Sequence, residues 1–343
     1  MPEMPSPRGE ISELVMRMLK DEVHAMPDVV PGSVPEPLSD EDLQLALYLC
    51  YELHYRGLPG VDERWEWEPS LLAMRRHLER QFEGALRDAV PITNGHVPAE
   101  EIDLALREVA DDGEPGALSA FIRSRASIEQ VREFLVHRSA YQLKEADPHS
   151  WVIPRLWGAP KAALIEVQAD EYGGGRAEWI HADLFARAMR AVGLDSSYGA
   201  YLDVIPGLTL ATVNLMSLFG LHRRLRGAIV GHLALFEMSS SIPNRRYGDG
   251  LRRLGLGREA TLFFDEHVEA DAVHENIAAV DLAGGLVRQD PQTSVTVMWG
   301  ARALAHLDQC WAGQLLDAWR LGQSSLLGPV VLAPESPARL RAV

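Results

Sequence analysis

The feature that most narrows what this chain can fold into is a helical period of apolar residues, with scarcely any strand-like alternation beside it. Ser70 to Val90 places Leu71, Met74, Leu78, Phe82 and Leu86 at three- and four-residue steps, one face of an amphipathic helix. The run from Glu41 to Leu53 repeats the pattern with Leu43, Leu47 and Cys50, and Ser39 or Asp40 stands where an N-cap belongs. The same reading predicts helices over 127–145, 161–170, 179–192, 209–225, 228–239, 261–280 and 294–323. Pro154, Gly173 to Gly175, Pro206, Pro243 and Gly255 punctuate them. The expected fold class is all-α, a smaller N-terminal helical unit followed by a bundle of about seven helices.

The best candidate boundary is Asp111 to Gly116, acidic and rich in helix breakers. It divides the chain into a helix and proline-rich loop (1–37), an N-terminal helical domain (38–115), the bundle (116–327) and a tail (328–343). The stripe Leu71, Met74, Leu78, Phe82 is more than a two- or three-helix unit can bury alone, so a second copy of the chain, a homodimer, is expected to cover it.

At 343 residues the chain can bury a sizeable core. Its 33 basic against 49 acidic residues leave a net charge of −16, the wrong sign for nucleic acid or an anionic membrane surface. Cys50 and Cys310 are far apart and form no CxxC pair, which excludes a disulfide scaffold and a thiolate zinc site. No basic segment leads into an apolar one at the N-terminus, and the longest apolar run, Val204 to Leu221, is interrupted by Pro206, Gly207, Thr209, Thr212 and Asn214. The expectation is a buried core helix and a cytoplasmic protein. HExxH, a P-loop and a helix-opening GxGxxG are absent, which weakens zincin, NTPase and dinucleotide readings.

The strongest chemical signal is FDEHVEADAVHE, from Phe264 to Glu275. His267, Asp271 and His274 stand at i, i+4 and i+7, which at about 100° per residue keeps them within about 60° of one another on one helix face. Two imidazoles and a carboxylate on one stripe suit iron or manganese. A solvated charged face is the alternative, since Glu266, Glu269 and Glu275 lie in the same stretch.

Other segments offer companions. Glu171 and His181 are ten residues apart, about 1000° of straight helix and so about 80° short of three turns. Gly173 to Gly175 lie between them, where a break or bulge corrects the phase. Glu145 closes the first core helix just ahead of Pro148. Glu237 lies in an apolar helix where a lone carboxylate is costly unless ligated or paired, with Arg224 for example. Glu145, Glu171, Glu237 and Asp271 together carry four negative charges, which match two divalent cations.

Glu145, Glu171/His181, Glu237 and His267/Asp271/His274 follow, in order and spacing, the ligand pattern of a known family. Over roughly residues 125–325 the chain resembles the heme-oxygenase-like diiron oxidases and oxygenases, also called iron-containing redox enzymes. The resemblance implies a heme-oxygenase-like bundle holding two Fe ions on those seven residues, with O₂ as co-substrate. It implies oxidation of a small organic molecule by amine N-oxygenation, oxidative decarboxylation or C–C cleavage, with an external electron donor possible. A non-catalytic metal-binding bundle and a Zn/Mn metallohydrolase are the alternatives.

Further candidates have plainer readings. Glu52 and His54 stand at i and i+2 and do not share a helix face. Glu166 reads as a neighbour that supports a ligand or as a surface residue, and His222 and His232 as core or helix-end histidines. Arg138, Arg155, Arg223 and Arg224 are able to clamp a substrate carboxylate, but ion pairing is the plainer use of most of them.

Overall fold

The computed structural model describes residues 2–27, 32–93, 95–112 and 116–333, with Asp271 and Ala272 described by their backbone alone. The middle of the expected boundary, 113–115, part of the proline-rich loop and the tail beyond 333 lie outside the described residues. The helices run in the order α1 (Glu10–Leu19), α2 (Glu41–Glu52), α3 (Pro69–Ala89), α4 (Ile102–Ala110), α5 (Ala117–Ser124), α6 (Ile128–Gln142) and α7 (Asp147–Ser150). They continue with α8 (Gly158–Glu171), α9 (His181–Ala191), α10 (Gly207–Leu221), α11 (Arg226–Arg253), α12 (Arg258–Asn276), α13 (Gly285–Gln289) and α14 (Thr293–Arg320). Extended pairing among the described residues is limited to a single bridge, Leu194 to Leu332. The fold is all-α, as the periodicity predicts.

Local chemistry sets the helix ends. The Asp40 carboxylate accepts from the Leu43 amide at 2.7 Å and starts α2. Ser127 and Gln130 form a reciprocal capping box that starts α6. The two 28-residue helices α11 and α14 pack along each other at the centre. Glycine lets their backbones touch: a Cβ on Gly231 would sit 1.9 Å from the Val297 carbonyl oxygen, and one on Gly300 2.0 Å from that of Ala228. Helix α12 lies on α11, and α10 is buried nearly all round between α14 and α2.

Three expectations change. The helix read over 228–239 does not stop before Pro243; α11 runs on to Arg253. Proline removes one hydrogen bond there, but both α5 and α12 pack against the helix. The helix read over 261–280 changes pitch, because α12 passes into a π-helix, Ile277–Gly284, before α13. Small residues fit this wider coil under its neighbours, where a Cβ on Gly284 would lie 3.0 Å from the Ala99 carbonyl. Finally, Leu71, Met74, Leu78 and Phe82 are buried within a single chain, against a core that includes α2 and Trp65. The apolar stripe therefore gives no reason for a second copy.

The segments before and after residue 115 share one hydrophobic cluster. Tyr55 meets Ser217 of α10 at 2.9 Å. The buried Glu52 forms an ion pair with the equally buried Lys144 at 3.2 Å, and the Tyr198 hydroxyl donates to the same carboxylate at 2.6 Å. Tyr48, Tyr55 and Tyr198 cage the ammonium, with Tyr55 closest at 4.1 Å to the ring centroid. Burial pushes the Lys144 pKa down while Glu52 pulls it up. No described helix is long and apolar enough to cross a membrane.

Candidate metal centre

Each candidate side chain reaches the centre from a different piece of backbone. Glu145 lies past the end of α6 rather than closing it, on a turn whose next residue, Ala146, has φ 72°. That strained turn aims the Glu145 carboxylate inward. Glu171 is the last residue of α8, and His181 the first of α9. Between them the chain breaks at Gly173, Gly174 and Gly175, with φ of 69°, 58° and 81°, values costly for any side-chain-bearing residue. The break supplies the phase correction that an undisturbed helix lacks. Glu237 comes from α11, and His267 and His274 from α12.

These six residues converge and all are buried. Glu145, Glu171, His181 and His267 form one group whose donor atoms lie within 4.8 Å of one another, and Glu171, Glu237 and His274 form a second. Glu171 belongs to both. The rings of His181 and His267 lie 4.4 Å apart. Asp271 stands on α12 between the two histidines, but its side chain lies outside the described residues.

Hydrogen bonds fix which imidazole nitrogen faces inward. His267 Nδ1 bonds the Phe263 carbonyl at 2.8 Å and therefore carries the proton, leaving the Nε2 lone pair toward Glu145 at 3.5 Å. His274 Nε2 bonds Asp170 at 3.0 Å, leaving Nδ1 toward Glu237 at 3.4 Å. A carboxylate or carbonyl behind a histidine is how metal-ligating imidazoles are oriented.

Several inward atoms satisfy no partner. Glu145 Oε2, Glu171 Oε2, His181 Nδ1 and His274 Nδ1 are buried without a hydrogen bond. His181 Nδ1 is only 2.9 Å from Glu171 Oε2, yet the pair is not aligned for one. Buried polar atoms are rarely left so. Ligand atoms of these residues lie within 4.8 Å of one another in two groups, close enough to share a cation.

Charge behaves accordingly. Burial raises the Glu145 pKa, whereas Glu171 falls to about 2 because His181, His267 and His274 outweigh its burial. Burial opposes protonation of His274, but Glu237, Asp170 and Glu171 carry its pKa up to about 9. The Tyr141 hydroxyl is held protonated by burial and by the charges of Glu145, Glu171 and Glu237. Glu145, Glu171, Glu237 and His267 line a small cavity walled by Tyr141, Leu233 and Phe236.

The chain's remaining candidates are engaged elsewhere. Glu52 pairs with Lys144; His54 lies between Glu66 and Arg75; His222 meets Glu79 at 3.0 Å. Glu166 is exposed. Arg224 bonds Glu83, not Glu237, and Arg155 bonds the carbonyls of Gly220 and Leu221. Sequence reading passed over Asp170, whose partner is 104 residues away. It also passed over His149, which shares the cavity with Glu145 four residues before it. That i, i+4 spacing was the available signal, masked by Pro148. His149 Nε2 meets His232 Nδ1 at 3.2 Å.

A sequence model of the iron-containing redox enzymes matches residues 132–309, more than half of the chain. The chain belongs to that family. Among curated proteins, none matches it. The matched span carries all six converging residues and Asp271. Membership makes the chain an oxidoreductase of iron, and the buried His/Glu cluster agrees with iron as its metal.

Buried histidines outside the cluster predict acid sensitivity. Burial drives His137 to about 3, His149 to about 4, and His232 well below its usual value. Below pH ~6.5 the unfolded chain takes up protons that these folded imidazoles refuse, so stability falls as pH drops from there toward 3. Each excluded proton steepens that loss by about 1.4 kcal/mol per pH unit. Urea unfolding of the metal-free protein at pH 7, 6 and 5 measures the slope. His137→Gln should reduce it by one proton's worth, and an unchanged slope would show that His137 does not contribute.

Proposed function

We propose that the chain is a non-haem diiron enzyme that uses O₂ to oxidise a small organic substrate. One observation carries the reading: the two buried donor groups share a single residue, Glu171. A carboxylate common to two groups suits a bridge between two cations. In this reading Glu145, His181 and His267 hold one iron, Glu237 and His274 the other, and Glu171 both. Asp271 is assigned to the second group from its place between the two α12 histidines and from the family resemblance. Four carboxylates and three neutral imidazoles then balance two divalent ions.

When bound, a pair of irons supplies redox electrons and open positions for O₂. The protein's own residues do the rest. Asp170 and the Phe263 carbonyl hold two imidazoles in the ligating tautomer. Tyr141, Leu233 and Phe236 keep bulk water from the cavity beside the carboxylates. The protonated Tyr141 hydroxyl is a donor available at that wall. The family's reactions include amine N-oxygenation, oxidative decarboxylation and C–C cleavage, and the donor set is compatible with any of them. The assignment includes an external electron donor for turnover and a cytoplasmic setting.

Anaerobic reconstitution with Fe(II), followed by O₂, tests it. The expected result is about two irons per chain and O₂ consumption coupled to a change in an added substrate. Tight occupancy by a single zinc, or hydrolysis without O₂, would move the chain to a metallohydrolase. Iron uptake with no O₂ consumption under any substrate would leave a metal-binding bundle.

A further inference from the structure

Two side chains at the end of α8 reach across to the turn that presents Glu145. Gln168 is buried, three residues before Glu171 and on the same helix face. Its Nε2 donates to the Ala146 carbonyl at 3.0 Å and to the Ser150 hydroxyl at 2.7 Å. Tyr172, the residue after Glu171, donates its hydroxyl to Asp147 at 2.8 Å and meets the Ser150 hydroxyl at 3.0 Å. The stretch of chain that delivers Glu171 thus grips both ends of the segment from Ala146 to Ser150.

That grip falls where the backbone is strained. Among the described residues other than glycine, Ala146 is the one with positive φ, 72°. Such a residue persists only where its surroundings over-determine it. Left to itself the turn relaxes toward negative φ, and Glu145, the residue before it, swings with it. The amides of His149 and Ser150 also bond the Ala146 carbonyl, at 3.1 and 3.2 Å, but they belong to the same segment and move with it. Gln168 brings the donor from another element. Its amide cannot be turned over, because Oε1 would then face the Ala146 carbonyl oxygen. As it stands, Oε1 is buried without a partner. A buried acceptor is rarely left so, and here it goes unmet while both donors hold the turn. The Glu145 carboxylate itself is held by Gln142, whose Nε2 donates to Oε1 at 3.1 Å.

Resting on the assignment of Glu145 to one metal position, we infer that Gln168 is a positioning residue of the metal centre. Through the Ala146 carbonyl it holds the strained turn in the form that keeps Glu145 beside Glu171, and Tyr172 backs that hold through Ser150 and Asp147.

Gln168→Met keeps the length of the side chain and removes both donors. In the metal-free full-length protein, amide hydrogen exchange over 145–152 should quicken about tenfold or more, with α14 unchanged. In anaerobic Fe(II) titration against a chelator, the position that Glu145 serves should weaken by about 10- to 100-fold, and the other should hold. Ala146→Gly adopts the same φ without strain, so it should bind iron as the parent does and should recover most of the loss when combined with Gln168→Met. A side chain that only fills space would show no such rescue, because glycine removes volume rather than restoring it. Should Gln168→Met fail to fold, Tyr172→Phe breaks the outer link alone, and exchange and affinity should change several-fold in the same directions. Unchanged exchange over 145–152, unchanged iron affinity in a folded Gln168→Met, or a loss that Ala146→Gly does not reduce overturns the inference. The parent protein's iron content separates the two readings. A single iron, still weakened by Gln168→Met and rescued by Ala146→Gly, defeats the diiron assignment and leaves the positioning role standing. Two irons held equally by parent and Gln168→Met defeat the positioning role alone, and a parent that takes up no iron overturns both.

Discussion

Glu171→Ala should empty both halves of the metal centre at once. Among the described residues Glu171 is the one common to both donor groups, whereas Glu145 belongs to the first alone and Glu237 to the second. Removing a shared ligand leaves each cation short of a donor and adds a void among buried charges, so iron should fall from about two per chain to well below one. Glu145→Ala or Glu237→Ala should instead retain about one, the untouched group keeping its donors. Asp170→Ala removes no ligand but frees the tautomer of His274, and weakens the second position by about 10- to 100-fold. Metal analysis after gel filtration, with circular dichroism for folding, reads all four. An Glu171→Ala protein that keeps two irons would falsify the bridging assignment.

The largest effect on stability is expected at Gly231→Ala. An added methyl would meet the Val297 carbonyl at 1.9 Å, with the Val297 backbone on one side and its own helix on the other. Neither is a flexible side chain, so α11 and α14 must separate. A cost of about 3 kcal/mol, the upper part of the range for overpacking, is expected. Melting should fall by roughly 4 °C for a chain of this size. Gly313→Ala on α14 is the control, since nothing lies within 4 Å of that methyl. There the better helix former should be neutral or stabilising by about 0.5–1 kcal/mol. Equal melting of Gly231→Ala and the parent protein would mean that the two helices do not meet through glycine.

The helices and their starts were legible because the signals are local. Asp40 caps α2 and Ser127 caps α6 through hydrogen bonds that span three residues. The course of α11 through Pro243 was not legible, because what holds it is α5 and α12, both distant in sequence. The π-helix was hidden for a like reason: the period of Ile277–Gly284 looks helical either way, and its pitch answers to neighbours such as Ala99. At the site, the spacing of His267, Asp271 and His274 and the glycine break after Glu171 were visible, since residue type and interval carry them. The groups that orient the imidazoles were not. Asp170 looks like any surface acid, and only the fold brings it to His274.

The caged pair of Glu52 and Lys144 has a consequence for how the chain comes apart. Lys144 is the residue next to Glu145, and its counter-ion arrives from α2. Were α2 to peel away, Lys144 would lose Glu52 and, with Tyr48 and Tyr55, most of its cage, and the turn that carries Glu145 would lose the packing beside it. Local opening of the N-terminal helices is thereby tied to loss of the Glu145 turn. The N-terminal helices and the bundle should melt in one cooperative step, and a chain shortened to begin near Leu118 exposes Lys144 and loosens the turn that holds Glu145.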